Sequence, residues 1–308
     1  MPYDEYLEIE ALERPSPREF RRRFLRPQRP VKISGAIDAW PALRDNKWSL
    51  DFFEQNYGDE VVGIERFEPG ERGEGKNSPQ EYVKFLKFQD MKIRDLVGII
   101  KAKPDHMYYV AQHPFRRCFK GLGDDIDENP YLEYCITHIP GAHMDSYLWI
   151  GPRGTMTPLH QDPMPNFLTQ LVGRKFVHLF PPEQAKKNLY IGQFERPAFS
   201  PVDVENPDLD KYPNFCHCTP YQTIIHPGEM LHIPRHWGHA VKSLDVSISI
   251  SSFFITFGQL FKLLPEYVAD TLGRLRGGWR WDQTNERASV NPPPRAADRD
   301  APRDQTCE

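Results

Sequence analysis

No two cysteines in this chain have the CxxC spacing, although five are present (Cys118, Cys135, Cys216, Cys218 and Cys307). So odd and scattered a set argues against a structural zinc site or a disulfide framework. Cys216, His217 and Cys218 are close enough together to share a metal, but adjacent strand residues point to opposite faces. A loop or strand with free thiols is therefore expected there. No apolar run approaches the ~18 residues of a membrane-spanning helix. The first residues, "MPYDEYLEIEALERP", are acidic where a secretory leader needs a basic and then an apolar run. The expectation is an intracellular protein of the cytoplasm or nucleus, not in a membrane. Charge of one sign is also scarce, with a net −4 over 308 residues, so no strong field for nucleic acid or anionic lipid is built in. No internal repeat is visible.

What is present suits a folded chain. A hydrophobic fraction of 39% with 12% aromatics can bury a sizeable core, in one large domain or two small ones. Thirty prolines point to many short elements joined by stiff turns. Residues 1–106 alternate helix and strand signals and read as an elaboration packed on a core. "SPREFRRRF" has a capping box at Ser16 and Glu19 with Pro17 at the first helical position. "PVKISG" and "EVVGIERF" read as strands, "WSLDFFEQNYG" and "IRDLVGIIKAK" as helices, and residues 69–80 as a mobile loop. Residues 107–256 change to short strands separated by Gly/Pro turns, the pattern of an antiparallel sandwich or barrel. A proline-studded insertion, 181–220, is long enough to cover one mouth of such a barrel. Residues 257–285 read as a helical segment and 286–308 as a disordered tail.

The chemistry is concentrated in "TPLHQDPMPNFLTQLVGRK", residues 157–175. On a strand, residues i and i+2 share a face, so His160 and Asp162 can aim a nitrogen and an oxygen at one point. Two histidines and one carboxylate on one face of a metal, with the other positions open, form the donor set of non-haem Fe(II) oxygenases. The third ligand is expected from "PGEMLHIPRHWGHAVKSL", two strands joined by a turn and carrying His232, His236 and His239. His239 ranks first because it opens the second strand and shares a face with Val241. His236 is the fallback. The plainer alternative is polar histidines at a strand end. Lys175 follows Gly173 and Arg174, which make a hairpin turn between "NFLTQLV" and "KFVHLF". Either its ammonium faces solvent, or its stem enters the barrel, where an unpaired ammonium is costly. A dicarboxylate co-substrate would satisfy the second reading. Its 2-oxo acid end would chelate iron, and its far carboxylate would pair with Lys175 and with hydroxyls such as Thr157 and Tyr109.

With "PGEMLHIPRHWGHAV" and the closing "VSISISSFF", this segment resembles the JmjC family of Fe(II)- and 2-oxoglutarate-dependent oxygenases. The resemblance implies a mainly β fold with helical elaborations around a double-stranded β-helix, the cupin or jelly-roll core. It covers about residues 18–256 and is nearest to small protein hydroxylases, including an arginyl-hydroxylase branch, through "YVAQH", "WIGPRGTMTPLHQDP" and "VDVENPDLDKYP". It implies that His160, Asp162 and His239 hold iron, and that Lys175, Thr157, Tyr109 and Asn166 bind 2-oxoglutarate. Trp149 and Gln112 match positions near the substrate. Iron, 2-oxoglutarate and O2 would then hydroxylate a side chain of a protein or peptide, with arginine one candidate. The alternatives are a lysine demethylase or, from another class, a non-oxidative metal-binding cupin. Two features depart from the branch: Phe253 and Phe254 stand where a Trp pair is common, and Glu60 and Glu65 are both out of clear register for a guanidinium partner. The basic run 18–29 is read as a solvated helix face in preference to a targeting signal or nucleic-acid patch. The segment after 256 is read either as a homodimer contact or as packing on its own barrel.

Overall fold

The computed structural model describes residues 5–67, 87–102, 107–114, 119–127, 129–133, 135–137, 146–192, 198–258 and 260. Local signals start the N-terminal elements. After β1 (Leu7–Glu8) and β2 (Ala11–Glu13), the Ser16 hydroxyl caps α1 (Pro17–Phe20) by accepting the Glu19 N–H at 3.1 Å. One π turn, Arg21–Leu25, continues the helix and buries Phe24 and Leu25, while Arg18, Arg22 and Arg26 stay on the solvated face. β3 (Val31–Ser34) and α2 (Leu50–Tyr57) follow, then β4 (Val61–Phe67), β5 (Lys87–Lys92) and α3 (Ile93–Ala102). α3 buries Ile93, Leu96, Val97 and Ile100, the stripe its helical spacing predicts. The remainder is β: β6 (Met107–Pro114), β7 (Cys135–Ile136), β8 (Ser146–Gly151), β9 (Met156–Gln161), β10 (Asn166–Val172), β11 (Lys175–Phe180), β12 (Tyr221–Ile225), β13 (Met230–Ile233), β14 (Gly238–Ser243), β15 (Ser247–Phe253) and β16 (Ile255–Thr256).

These strands make a nine-stranded sheet, β2-β3-β13-β10-β15-β8-β6-β4-β5, and a five-stranded sheet, β1-β12-β11-β14-β9. β16 pairs only with β7. Core strands next to each other in sequence mostly alternate between the two large sheets: β8 to β9, β9 to β10, β10 to β11, and again from β12 to β15. The result is the expected jelly roll. It also corrects the hairpin expected at Gly173–Arg174. Gly173–Arg174 and the turn after β13 are corners between sheets, because β10 pairs with β13 and β15 while β11 pairs with β12 and β14. The first corner demands glycine: Gly173 has φ +69°, and a Cβ there would lie 2.1 Å from the Val246 carbonyl oxygen.

Alternation along β15 separates two layers. Ile248 and Ile250 pack outward against Phe20, Trp48, Phe53 and Leu96 of the N-terminal elements. Ser247, Ser249 and Ser251 are buried on the opposite face, toward the space between the sheets. Leu168 of the large sheet meets Val177, Leu179 and Ile225 of the small one across that space. The outer face of the small sheet presents Met156, Phe180 and Ala240, and the insertion covers them with Leu189, Ile191, Val202, Val204 and Phe215. The described part of the insertion thus lies over an outer sheet face, not across a barrel mouth, because apolar side chains there need cover from water. Within it, Pro213–His217 forms a 3-10 turn, Cys216 is disulfide-bonded, and Cys218 is a buried free thiol, against the expected pair of free thiols.

Residues 1–256 form one compact unit and 257–308 a second. Within the first unit, β2–β3 and β4–β5 extend the large sheet at its two ends. The loop 69–80, most of the segment 257–285 with the dimer contact read from it, and the tail 286–308 lie outside the described residues. No helix among the described residues is long and apolar enough to cross a membrane.

Candidate active site

Register determines which side chains of the small sheet face the inter-sheet space. β14 lays His239 opposite His160 and Val241 opposite Thr157, so two steps on β14 match three on β9. The extra residue is a β-bulge, and it returns Thr157 to the face of His160. β11 continues the row with Leu179 opposite His239 and Lys175 opposite Ser243. His160, His239, Thr157 and Lys175 therefore share one face, with Lys175 about 13 Å along the strand from the level of His239.

Asp162 does not sit on β9 as expected. It lies one residue beyond the strand end, with its carbonyl accepting the His236 N–H at 2.8 Å. Its Oδ2 lies 3.5 Å from His239 Nε2 and 4.0 Å from His160 Nε2. One ligand atom from each of the three residues falls within 4.8 Å of the others, a group that could hold a metal ion. His160 Nδ1 is 2.8 Å from the Pro158 carbonyl and His239 Nδ1 is 3.0 Å from the Trp237 carbonyl. A carbonyl can only accept, so each Nδ1 carries the proton and each Nε2 lone pair is free for a metal. Burial, with His239 beside it, holds His160 down to about 4, so it is neutral at pH 7. Burial alone would raise the Asp162 carboxyl, but the two imidazoles hold it below the ordinary carboxylate range. Two imidazole nitrogens and one carboxylate oxygen fit Fe(II).

The other two histidines are elsewhere. His236, at φ +62°, steers the Asp162 backbone, and its Nε2 lies 2.8 Å from an Arg235 nitrogen. His232 is on the far face of the large sheet, its ring 5.1 Å from that of Phe20 and 5.4 Å from that of Phe167.

The facing wall comes from the large sheet. Trp149 stands opposite Ser249 and donates Nε1–H to Ser251 Oγ at 2.9 Å. Its ring is 5.7 Å from that of Tyr109. Asn166 is buried, and its Oδ1 has no hydrogen-bond partner. Lys175 is 2% exposed, with Nζ donating to Tyr109 Oη at 3.2 Å and lying 5.7 Å from the Tyr109 and Trp149 ring centroids. It is not a solvent-facing turn lysine. No ion pair among the described residues involves it, and burial pulls its pKa down to about 7. A buried amine in polar company with no anion beside it is a ready partner for a carboxylate.

Gln112 is the one predicted position that is not drawn into this cluster. It is exposed at the β6 bulge with φ +53°. Thr157 is half-buried on the pocket face. Phe254 lies in the N-terminal core, whereas Phe253 packs edge-on against Tyr147 at 5.8 Å. The strand register places both glutamates that the sequence left unassigned. Glu65 stands directly across from Tyr109 and shares its face, while Glu60 is exposed before β4.

Gly151 makes room for Tyr109, since a Cβ there would lie 2.5 Å from Tyr109 Cδ2. Gly151→Ala should therefore push the phenol away from Lys175. On the expectation that Tyr109 and Lys175 meet a 2-oxoglutarate carboxylate, losing one hydrogen bond to a charged group costs about 1.5–3 kcal/mol, roughly a ten- to hundredfold increase in the 2-oxoglutarate concentration needed. A titration of turnover against 2-oxoglutarate measures it, and an unchanged requirement would remove Tyr109 from the pocket.

Residues 17–259 match the family described as a cupin-like domain. The chain is 35% identical over 246 residues to lysine-specific demethylase 8 of Danio rerio, an alignment covering 79% of this chain and 57% of that protein. It is 35% identical over 249 residues to JmjC domain-containing protein D of Dictyostelium discoideum, covering 77% and 54%. Against lysine-specific demethylase JMJ30 of Arabidopsis thaliana it is 33% identical over 234 residues, covering 75% and 51%. The chain thus spans a little over half the length of these relatives. With a jelly-roll core, a match over most of its length and these relatives, the chain belongs to the cupin-like JmjC family of Fe(II)- and 2-oxoglutarate-dependent oxygenases.

Proposed function

We propose that this chain hydroxylates a cationic side chain of a protein, arginine being the first candidate. In this reading His160, Asp162 and His239 hold the iron, and Lys175 receives the far carboxylate of 2-oxoglutarate. The observation that carries it is one shared face, with a two-histidine, one-carboxylate cluster at one end and a buried lysine at the other. Tyr109 and Thr157 would add hydroxyls to that carboxylate, and the Asn166 side-chain amide would donate an N–H to the co-substrate. Bound there, iron and 2-oxoglutarate would supply the O2-activating chemistry for hydroxylating a substrate C–H bond.

The chain's own part is to orient both partners and keep the pocket dry. The apolar layer of Leu168, Val177 and Leu179 closes the space between the sheets on one side of the pocket. Trp149 would flank the reacting side chain and Gln112 would meet the substrate at the rim. Glu65, on the face of Tyr109, would neutralise the substrate's positive charge. Lysine demethylation is the second reading, favoured by the names of two of the relatives. A methylated lysine is also cationic, so Glu65 serves either substrate.

Mass spectrometry of a host lysate treated with the chain, Fe(II) and 2-oxoglutarate tests the choice. The expected result is proteins gaining one oxygen atom on a cationic residue. Loss of methyl groups from lysine with release of formaldehyde would replace the first reading by the second. Failure to consume 2-oxoglutarate under any condition would point to a non-oxidative cupin.

A further inference from the structure

His160 lies on β9, the last strand in the order of the five-stranded sheet. An edge strand holds its side chains less firmly than a central one, because half of its backbone groups lack a strand partner. Here a three-residue piece of the insertion occupies that edge. The Gln161 N–H donates to the Ala198 carbonyl at 2.9 Å, and the Ser200 N–H donates to the Leu159 carbonyl at 2.9 Å. Between these two bonds Phe199 pairs with His160 as an antiparallel bridge. The piece is anchored, since Ser200 is fully buried and its Oγ accepts the Val202 N–H at 3.0 Å. Val202 then enters the apolar layer over the outer face of the sheet.

Phe199 also lies flat against His160, with ring centroids 5.2 Å apart and planes within 20°. The imidazole has the His239 ring as a second neighbour at 4.1 Å. Its Nδ1 bond to Pro158 fixes one ring atom but leaves the plane free to rock about that bond. A flat half-buried ring stacked on it removes that freedom and keeps solvent off the same face.

We infer that Phe199 is a positioning residue: through stacking and the edge bridge it sets the plane in which His160 presents Nε2 to the metal. The inference rests on the reading of His160 as an iron ligand. It gives the insertion a role in the site that neither its composition nor its cover of the sheet suggests.

The test is titration of metal-free protein with Co(II), followed by visible absorption, on the full chain. Phe199→Ala should weaken Co(II) binding about tenfold or more, the usual size of effect for a residue that orients a ligand. It should also change the absorption envelope, because one nitrogen donor is no longer held in a single orientation. Phe199→Tyr should restore both affinity and spectrum. Phe199→Leu fills the space without a flat face and should restore melting temperature but not the spectrum. Wild-type affinity and spectrum in Phe199→Ala or, should that variant not fold, in Phe199→Leu would overturn the inference, provided His160→Ala has lost Co(II). If His160→Ala also binds Co(II) like wild type, the iron-site reading itself fails and takes this inference with it.

Discussion

Asp162→Ala should reduce turnover to background and leave the chain unable to retain iron. Asp162 is the only anionic donor in the cluster, and the imidazoles hold its carboxyl below the ordinary range. Without it, two imidazole nitrogens remain, and a pair of such donors with no anion holds a divalent cation weakly. The fold should survive, because the structural bond of Asp162 is made by its backbone carbonyl to the His236 N–H, which alanine keeps. Melting temperature near wild type, with metal content and turnover lost together, is the expected pattern. His236→Ala is the control: it keeps that N–H and should keep metal. An Asp162→Ala chain with wild-type iron content and turnover would show that the carboxylate is no ligand.

Lys175→Ala should raise the 2-oxoglutarate requirement strongly while leaving metal affinity nearly intact. Truncating one partner of a buried charge pair costs about 2–5 kcal/mol, or roughly thirty- to several-thousand-fold in apparent affinity. The lysine acts as a point charge well removed from the metal cluster, so metal binding should not follow. Its titration adds a signature. Burial has lowered the pKa to about 7 in the ligand-free protein, whereas the co-substrate needs the charged form. Wild-type affinity should therefore be greatest below pH 7 and weaken as pH rises above it, with a proton taken up on binding. Lys175→Ala should lose this dependence.

For stability the sign is worked from the same shift. The folded value, about 7, lies below the ordinary 10.5, so the folded chain binds fewer protons between those values. Stability of the ligand-free protein should consequently rise with pH across that window. Calorimetric titration at several pH values checks the first sign, and unfolding of the ligand-free protein across the same window checks the second. A 2-oxoglutarate dependence unchanged in Lys175→Ala would move the pocket elsewhere.

Much of this molecule could be read from neighbours in the sequence. The two-residue alternation of "VSISISSFF" and "KFVHLF" marks strands, the spacing of Ile93, Leu96, Val97 and Ile100 marks a helix face, and Ser16 and Ser49 mark helix starts. Each of these signals is local, because a residue's conformation and its face depend on the few residues around it. The same holds for His160 and Asp162, which stay close whatever the rest of the chain does.

Tertiary structure decided everything that depends on a partner far away in sequence. Alternation says that β15 has a serine face and an isoleucine face, but not which faces the pocket. The N-terminal helices decide that by covering the isoleucines and leaving the serines inside. The Gly173 turn looks the same locally whether it closes a hairpin or turns a corner between sheets, so Lys175 could be placed inside only once β11 had found β12 and β14. His239 was separated from His236 and His232 by the register of β14 on β9, Glu65 from Glu60 by that of β4 on β6, and Phe199 came to His160 from 39 residues away (199 − 160). Strand pairing is set by burial summed over whole sheets against the entropy of closing long loops. No short window of sequence contains either quantity.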